Sequence, residues 1–259
     1  MRLKVRYPLS ARADYGIGLA GIATVLAIWC AVTYGGLVQP VFLPSPSSIL
    51  SAVVDFHRRH WLWPAIWNSF RRVTVSLLLV IAVGVPVGIA MGALAPVDAF
   101  LRKIVNSGKS IPTTGIIGLI VLWFSIEERA KIVFLVLGAL FYMILLVKTA
   151  IAAVNAEYLD VARDLGASQP QLITRVLVPG ALPRIWDAIS VANSIMWTYI
   201  VLAEFINSSE DRLGLGYLLY IGSRTQESAR VFAALIIIAI IASLTDFLLQ
   251  SARKRYLDW

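Results

Sequence analysis

Six long apolar runs separated by short polar segments constrain this chain more than any other feature. They lie at residues 17–38, 73–95, 111–126, 132–154, 185–206 and 231–249. Of the 259 residues, 59% are hydrophobic and only 15% are charged, whereas soluble domains carry about 25% charge. A run of about 17–25 apolar residues can cross a bilayer as one helix. The sequence therefore predicts an all-α, polytopic membrane protein of about six transmembrane helices, forming one domain over residues 1–259.

The third and the first of these runs differ from an ordinary membrane span. The third, at 111–126, is shorter than a usual span, so the sequence leaves open whether it crosses the membrane fully. The first follows a basic stretch from Arg2 to Arg12 and resembles a secretory signal. It is too long for the apolar core of a signal peptide, and no small-residue cleavage site follows it. We therefore expect an uncleaved first span.

The net charge of +8 is explained by membrane topology, and we expect no nucleic-acid partner. With the N-terminus inside, six spans place both termini and the polar loop at 155–184 in the cytoplasm. More of the Lys and Arg residues then lie inside than outside, as the positive-inside rule requires. Arg71 and Arg72, at the outer end of the second span, do not fit this rule. We therefore expect a multi-pass membrane protein with both termini in the cytoplasm.

The polar loop contains signals for two short helices. Tyr158, Val161, Ala162 and Leu165 recur at helical spacing and form one apolar face. Gly166 follows at the position where a left-handed residue ends a helix. Ser168, with Gln171 three residues later, has the pattern of a capping box that starts a second helix, and Val178-Pro179 is expected to end it. Two short amphipathic helices between spans are typical of a docking element.

The loop resembles the cytoplasmic "EAA" loop of the inner-membrane subunits of bacterial ABC importers. In that family the pattern begins with Glu-Ala-Ala. After three further residues comes Gly, after nine more comes Ile, and after one more comes Leu-Pro. Here the same spacing reads Asp160-Val161-Ala162, Gly166, Val176 and Val178-Pro179. Each departure from the family pattern keeps the charge or the apolar character of the position.

Other segments extend the resemblance over most of the chain from about residue 40. The Leu43-Pro44-Ser45-Pro46-Ser47 segment, with Ser45 or Ser47 as a helix cap, resembles importers for taurine, alkanesulfonates, nitrate and bicarbonate. Further similar segments are Asn68-Ser69-Phe70-Arg71-Arg72, Gly84-Val85-Pro86-Val87-Gly88, Leu122-Trp123-Phe124, Ala203-Glu204 and Gly214-Leu215-Gly216-Tyr217. The resemblance implies the type I ABC importer permease fold and a location in the bacterial inner membrane.

The resemblance also implies function and partners. Two permease copies would form a translocation path, two ABC ATPase subunits would supply energy, and a periplasmic or lipid-anchored binding protein would deliver substrate, with lipid around the spans. The expected ATPase-coupling residues are Glu157, Asp160, Val161, Ala162, Arg163, Leu165, Gly166, Ala167, Ser168 and Pro179.

No nucleotide site is expected in this chain. Gly108-Lys109-Ser110 looks like the end of a phosphate-binding loop, but Lys103 stands where its first glycine is needed. We therefore expect a non-catalytic subunit without cofactors, beside a partner ATPase that uses ATP and Mg. His57 and His60 frame two arginines without zinc-site spacing, so no metal is expected either.

Two further sets of residues stand out within the spans. Gly84, Gly88 and Gly92 recur every four residues around Pro86, which favours close helix packing with a kink. Polar and aromatic side chains in the spans are candidates for the translocation path, because the bilayer penalises unpaired polar groups. They are Asn193, Trp197 and Glu204 in the fifth span and Thr113, Thr114 and Trp123 in the third. Helix–helix hydrogen bonding is the alternative for Asn193, and pairing with a base such as Arg212 is the alternative for Glu204.

The sequence leaves the substrate open, and two other classes of protein are alternatives. A small oxyanion or sulfonate is the first expectation, with a vitamin precursor or aromatic acid as the alternative. A secondary transporter would favour inverted repeats and mid-membrane ionisable groups, and a membrane-embedded enzyme would need a catalytic pair within the spans. Neither pattern was found in the sequence.

Overall fold

A computed structural model describes residues 10–206 and 213–257 of the chain. Within these ranges the regular structure is entirely helical. The α-helices are α1 (Ala11–Tyr34), α2 (Pro46–Arg58), α3 (Leu62–Ala93), α4 (Ala95–Ser110), α5 (Ile117–Phe124), α6 (Glu128–Ala152), α7 (Ala156–Asp164), α8 (Gln169–Gln171), α9 (Val178–Phe205), α10 (Leu215–Arg224) and α11 (Ser228–Tyr256).

The prediction of an all-α membrane protein with about six spans is confirmed. In the described part of the chain, α1, α3, α6, the continuous helix through α9, and α11 are long and apolar enough to cross a bilayer. Together, α4 and α5 form a sixth, bent candidate. α3, α6 and α9 pack against one another, with the most extensive contact between α3 and α6, while α10 and α11 pack against α9.

The third apolar run does not form one straight helix. The chain bends by 87° between the amphipathic α4 and the segment Thr113–Phe124, with a 3₁₀ turn at Thr113–Ile116 before α5. Pro112 is extended at this bend, and a proline there cannot continue the preceding helix. The eight residues of α5 span only about 12 Å, so any crossing here needs α4 as well. Asp98 pairs with Lys148 and thereby ties α4 to α6.

The expected helix end at Val178-Pro179 is wrong. The helix that starts at Gln169 continues to Phe205, through a π-helical turn at Leu172–Leu177. Pro179 lies in the first turn of α9, where the missing N–H of proline costs little. The wider π turn changes the hydrogen-bonding register just before Pro179. The loop is therefore joined rigidly to the span that follows it.

α1 stands apart from the other described helices. None of its most apolar window is buried, and Ser10 caps its first turn. Trp29 connects it to the bundle by donating from Nε1 to the carbonyl oxygen of Pro44 at 3.1 Å. Most of the apolar surface of α1 is consequently uncovered by the rest of the described chain.

The short helix α2 covers one end of α11. It begins at Ser45, whose hydroxyl accepts from Ser48 N, so Ser45 is the cap of the two serines considered. Ile49, Ala52 and Phe56 are its buried residues, and the Asp55 carboxylate pairs with Arg230 of α11 at 3.0 Å. We call this end of the bundle, where α10 also lies, the α10 end, and the opposite end the α7 end.

Candidate functional site

The loop at the α7 end has the predicted local geometry. α7 begins at Asn155, whose side chain accepts from Glu157 N at 3.1 Å. Gly166 has φ +81°, which confirms the left-handed residue expected there. Its N–H donates to Arg163 O at 2.8 Å, and Ala167 N donates to Ala162 O at 2.9 Å. These bonds satisfy carbonyls that a helix end otherwise leaves free.

The capping box is also confirmed. Ser168 donates to Gln171 Oε1 from its backbone N at 2.8 Å and from its hydroxyl at 3.0 Å. Because this box starts the helix that continues into α9, it fixes the direction in which the chain leaves α7. The short segment Leu165–Ser168 therefore connects α7 to a candidate membrane span.

α7 presents apolar side chains away from the bundle. Tyr158, Val161 and Leu165 are exposed, Leu165 by 83%, whereas Leu159 and Ala162 are half-buried. Asp160 and Arg163 form an exposed ion pair at 2.8 Å beside this face. An exposed apolar patch with a charged rim is typical of a surface that another protein covers.

The glycine stripe of α3 lies against α6. A Cβ atom on Gly84 would come within 2.7 Å of Met143 Cγ, on Gly88 within 2.6 Å of Val147 Cβ, and on Gly92 within 2.7 Å of Ile151 Cβ. The three contacted residues repeat every four positions, as the glycines do. The two helices are therefore in contact along the full length of the glycine stripe. Pro86 lies inside α3 within this stretch. This geometry is the close packing that the spacing predicts.

The three polar candidates of the fifth span are buried within the protomer. Asn193 donates from Nδ2 to Thr245 Oγ1 of α11 at 3.1 Å, which is the helix–helix bond considered as its alternative. Trp197 is 2% exposed and Glu204 is 1% exposed. Of the candidates in the bent segment, Thr113 is half-buried while Thr114 and Trp123 are exposed. Arg212, considered as a partner of Glu204, lies outside the described residues.

Glu204 belongs to a buried charged cluster at the α10 end. Its Oε1 accepts from Arg72 Nη1 at 2.8 Å and from Ser69 Oγ at 2.6 Å. Arg72 also donates through Nε and Nη2 to both carboxylate oxygens of Glu128, at 2.7 and 2.6 Å. Lys131, which is fully buried, lies 3.2 Å from the same Glu128 carboxylate. Charges and hydrogen bonds thus join α3, α6 and α9 at this end.

The Glu204 carboxylate also accepts a hydrogen bond from the N-terminus of α10. Gly216 N donates to Glu204 Oε2 at 2.6 Å, and Leu215 N donates to Ser69 Oγ at 2.9 Å. A negative charge at a helix N-terminus satisfies free N–H groups and complements the helix dipole. A side chain on Gly214 would collide with Glu204, so the carboxylate approaches the backbone only because glycine is present.

Sequence reasoning missed Arg72, Glu128, Lys131 and Ser69 as partners of Glu204. A signal was present, because Arg71 and Arg72 broke the positive-inside pattern. In addition, three of the segments that resemble the importer family, at 68–72, 203–204 and 214–217, meet at this one cluster. Only the structure shows that they are parts of the same contact.

A groove runs between α9 and α11 in the described chain. Two adjoining cavities of about 500 and 520 Å³ form it. Ser194, Thr198 and Asp246 line both cavities. Sequence reasoning missed Asp246, although a carboxylate within the apolar run at 231–249 is the kind of residue that commonly has a function inside a span.

These features are those of a polytopic α-helical membrane protein with an exposed amphipathic loop at one end of the bundle. Residues 84–257 match the model of the binding-protein-dependent transport system inner membrane component, and the chain belongs to this family. It is 30% identical to the taurine transport system permease protein TauC of Escherichia coli over all of this chain and 94% of the relative. It is 29% identical to the putative aliphatic sulfonates transport permease protein SsuC of Bacillus subtilis, over 93% of this chain and 87% of the relative.

Solved transporters share the fold. The MetNI methionine ABC transporter, in inward-facing conformations, contains a chain with TM-score 0.64 at 23% identity, covering 75% of this chain and 94% of that one. A bacterial ABC transporter for the polysaccharide alginate contains one with TM-score 0.60 at 16% identity, covering 95% and 97%. The expected type I importer permease fold is thereby confirmed.

Proposed function

We propose that the chain is a single-domain permease whose homodimer forms the translocation path of an ATP-driven importer. ATP and Mg are used by two ABC ATPase subunits, and this chain performs no chemistry itself. A periplasmic or lipid-anchored binding protein delivers the substrate at the α10 end. Family membership supports the need for an ATPase and a binding protein.

The observation that carries the proposal is the exposed apolar face of α7. Leu165, Val161 and Tyr158 lie on a capped helix that is joined to α9 through α8 and the π turn. Seating this face in a groove on the ATPase would bury it and explain why it is apolar. Closure of the ATPase pair would then move α7 and turn the spans between inward- and outward-facing states.

The proposed substrate is a small organic sulfonate or a related oxyanion. The relatives named for taurine and aliphatic sulfonates match nearly the whole chain, so their similarity is not confined to the docking loop. A vitamin precursor or aromatic acid is the alternative. For the path itself we propose the exposed face of α9 at Ser194 and Thr198, with Trp197 at its wall, and Thr113, Thr114 and Trp123 of the bent segment.

The docking role is tested at Gly166, with Gly36 as a matched control. Both glycines have positive φ, +81° and +68°, and neither has a neighbour near its missing Cβ. Replacement by valine at either site imposes a backbone cost of about 1 kcal/mol or more. We expect Gly166→Val to release the ATPase during purification of the complex, and Gly36→Val to retain it.

A second pair of variants tests the apolar face without backbone strain. Leu165→Asp should weaken ATPase binding and ATP-driven uptake, whereas Leu37→Asp, at a similarly exposed leucine, should leave both intact. Full retention of a coupled ATPase by Gly166→Val and Leu165→Asp would refute the docking role. Uptake by purified permease without any ATPase would instead indicate a secondary transporter.

A further inference from the structure

The helix α4 has two exposed flanks of opposite character. Its buried residues, Asp98 and Val105, face α6. At 3.6 residues per turn, two sets of exposed residues fall on opposite sides of this buried strip. The apolar flank consists of Phe100 and Ile104, which are 76% and 57% exposed. The polar flank consists of the exposed residues Arg102, Asn106, Lys109 and Ser110.

α4 rises from the α7 end of the bundle to the middle of α6. Near its start, Asp98 pairs with Lys148, which lies one turn before the end of α6 at Ala152. Near its end, a Cβ atom on Gly108 would lie 2.5 Å from Phe141 Cζ. Phe141 is about 20 Å along α6 from its start and about 17 Å from its end. Lys109, the next residue after Gly108, is therefore at about half the depth of this span.

The positive-inside rule explains the lower cations of α4 but not Lys109. Arg102 and Lys103 lie near the α7 end, where basic residues are expected, and Arg102 pairs with Asp98. Lys109 lies about 10 Å further along the helix than Arg102. Within residues 10–206 and 213–257 its ammonium has no ion pair or hydrogen bond. A cation at this depth without a countercharge needs another explanation.

Lipid is a suitable neighbour for only one of the two flanks. Phe100 and Ile104 can face hydrocarbon without cost, whereas charged groups inside a span almost always face protein or a water-filled cavity. The buried strip of α4 is already covered by α6, so the polar flank faces a space that the described chain does not fill. This flank leads into Thr113 and Thr114, the residues of the bent segment that we propose for the path.

We propose that the polar flank of α4 lines the wet path between two copies of the permease, and that Lys109 makes this path selective for anions. Each copy contributes one Lys109, so the path contains two positive charges at this depth. A negatively charged solute is attracted there, and a cation of the same size is repelled. The inference rests on the proposed transport function and adds the residue that sets its charge selectivity.

The first test compares the two flanks by cysteine labelling of the full-length permease in phosphatidylcholine nanodiscs. Asn106→Cys and Ile104→Cys, each in a Cys30→Ser background, lie two residues apart and on opposite flanks. The reagent is sulfonatoethyl methanethiosulfonate, which attacks the thiolate. Because a cysteine in hydrocarbon rarely ionises, we expect position 106 to react at least about tenfold faster than position 104. Lys109 is present in both proteins, so this comparison does not depend on a Lys109 variant folding.

The second test measures the charge selectivity at position 106. Asn106→Cys is labelled with the anionic sulfonatoethyl reagent and with the cationic trimethylammonioethyl reagent, and the ratio of the two rates reports the local potential. A charge about 6 Å away changes each rate about threefold, in opposite directions. Lys109→Gln should therefore lower the ratio about tenfold, and Lys109→Arg should preserve it. Lys254→Gln, at an exposed lysine near the end of α11, removes one charge elsewhere and should leave the ratio unchanged.

Four results would overturn the inference. Equal rates at positions 104 and 106 would place both flanks in the same medium, and an unreactive position 106 would place the polar flank in a packed protein interface. A ratio that Lys109→Gln does not change would remove Lys109 as the source of selectivity. If phosphatidylglycerol in place of phosphatidylcholine abolishes the preference for the anionic reagent, Lys109 binds a lipid headgroup instead of a solute.

The outcome is separable from that of the proposed function, because the labelling needs neither an ATPase nor a binding protein. ATPase retention is measured separately with the Gly166 and Leu165 variants. A coupled complex whose two flanks label equally would refute this inference alone. A polar flank that is reactive and selective for anions, in a permease that never binds an ATPase, would refute the importer function alone.

Discussion

At the scale of single residues, two adjacent arginines have opposite environments. Arg72 is 2% exposed and bonds to Glu128 and Glu204, whereas Arg71 is 54% exposed and lies 3.6 Å from Glu128. Removing one member of a buried pair leaves the other charge uncompensated in a low-dielectric interior, but an exposed pair contributes little. Replacing each arginine in turn therefore separates the effect of burial from the effect of charge on stability.

We predict that Arg72→Met lowers the free energy of unfolding by about 3–5 kcal/mol, while Arg71→Met changes it by about 0–1 kcal/mol. Arg72→Lys should not restore stability, because an ammonium cannot bond both oxygens of Glu128 and also reach Glu204 as a guanidinium does. Thermal unfolding of the purified protein, followed by size-exclusion chromatography after heating, measures the difference. Similar losses in Arg71→Met and Arg72→Met would contradict the buried cluster.

At the scale of elements, the α3–α6 contact is set by three glycines facing three larger side chains. Close approach brings the backbones together and maximises van der Waals contact, which drives helix association in lipid. The sequence contained the spacing of the stripe. It did not contain the partner, since Met143, Val147 and Ile151 lie more than fifty residues away and any span could have met the stripe.

We predict that Gly88→Ala destabilises the protein by about 1–3 kcal/mol, because the new methyl group overlaps Val147. Gly18→Ala in α1 is the control, since nothing lies within 4 Å of its missing Cβ. That substitution should be neutral or stabilising by up to about 1 kcal/mol through helix propensity. Equal melting temperatures for the two variants would show that α3 and α6 are not packed along this stripe.

At the scale of the whole molecule, the cluster at the α10 end and the loop at the α7 end lie at opposite ends of the same helices. Glu204 is near the last residue of α9, and the π turn precedes its first residue. A movement of α7 can therefore reach the α10 end through one continuous helix. The loop at the α7 end and α10 therefore lie near opposite ends of one candidate membrane span.

We predict that Lys103 and Arg175 face the cytoplasm and His57 faces the periplasm, following the basic-residue bias. Trp259 and Arg212, expected inside and outside respectively, lie outside the described residues and are tested in the same way. Single cysteines at these positions in a Cys30→Ser background are labelled with a membrane-impermeant reagent on intact cells. Labelling at 57 but not at 175 supports the orientation, and the reverse pattern inverts it.

By itself the sequence determined most of the features that depend on neighbours along the chain. The apolar runs predicted the spans, the capping box at Ser168 and the left-handed Gly166 were both correct, and the loop spacing indicated the family. These features follow from helix periodicity and backbone sterics, which act over a few residues. The same local rules failed at Val178-Pro179, where a π turn allowed the helix to continue through the proline.

The tertiary structure alone decided which distant groups meet. Glu204 accepts hydrogen bonds from Arg72 and Ser69, more than a hundred residues away, and Asn193 donates one to Thr245 on α11. Polar groups in an apolar interior must be paired, but the rule does not say with which partner. The groove between α9 and α11 likewise arises from how helices pack. Burial, pairing and the shape of a ligand site are properties of that packing, and no local pattern encodes them.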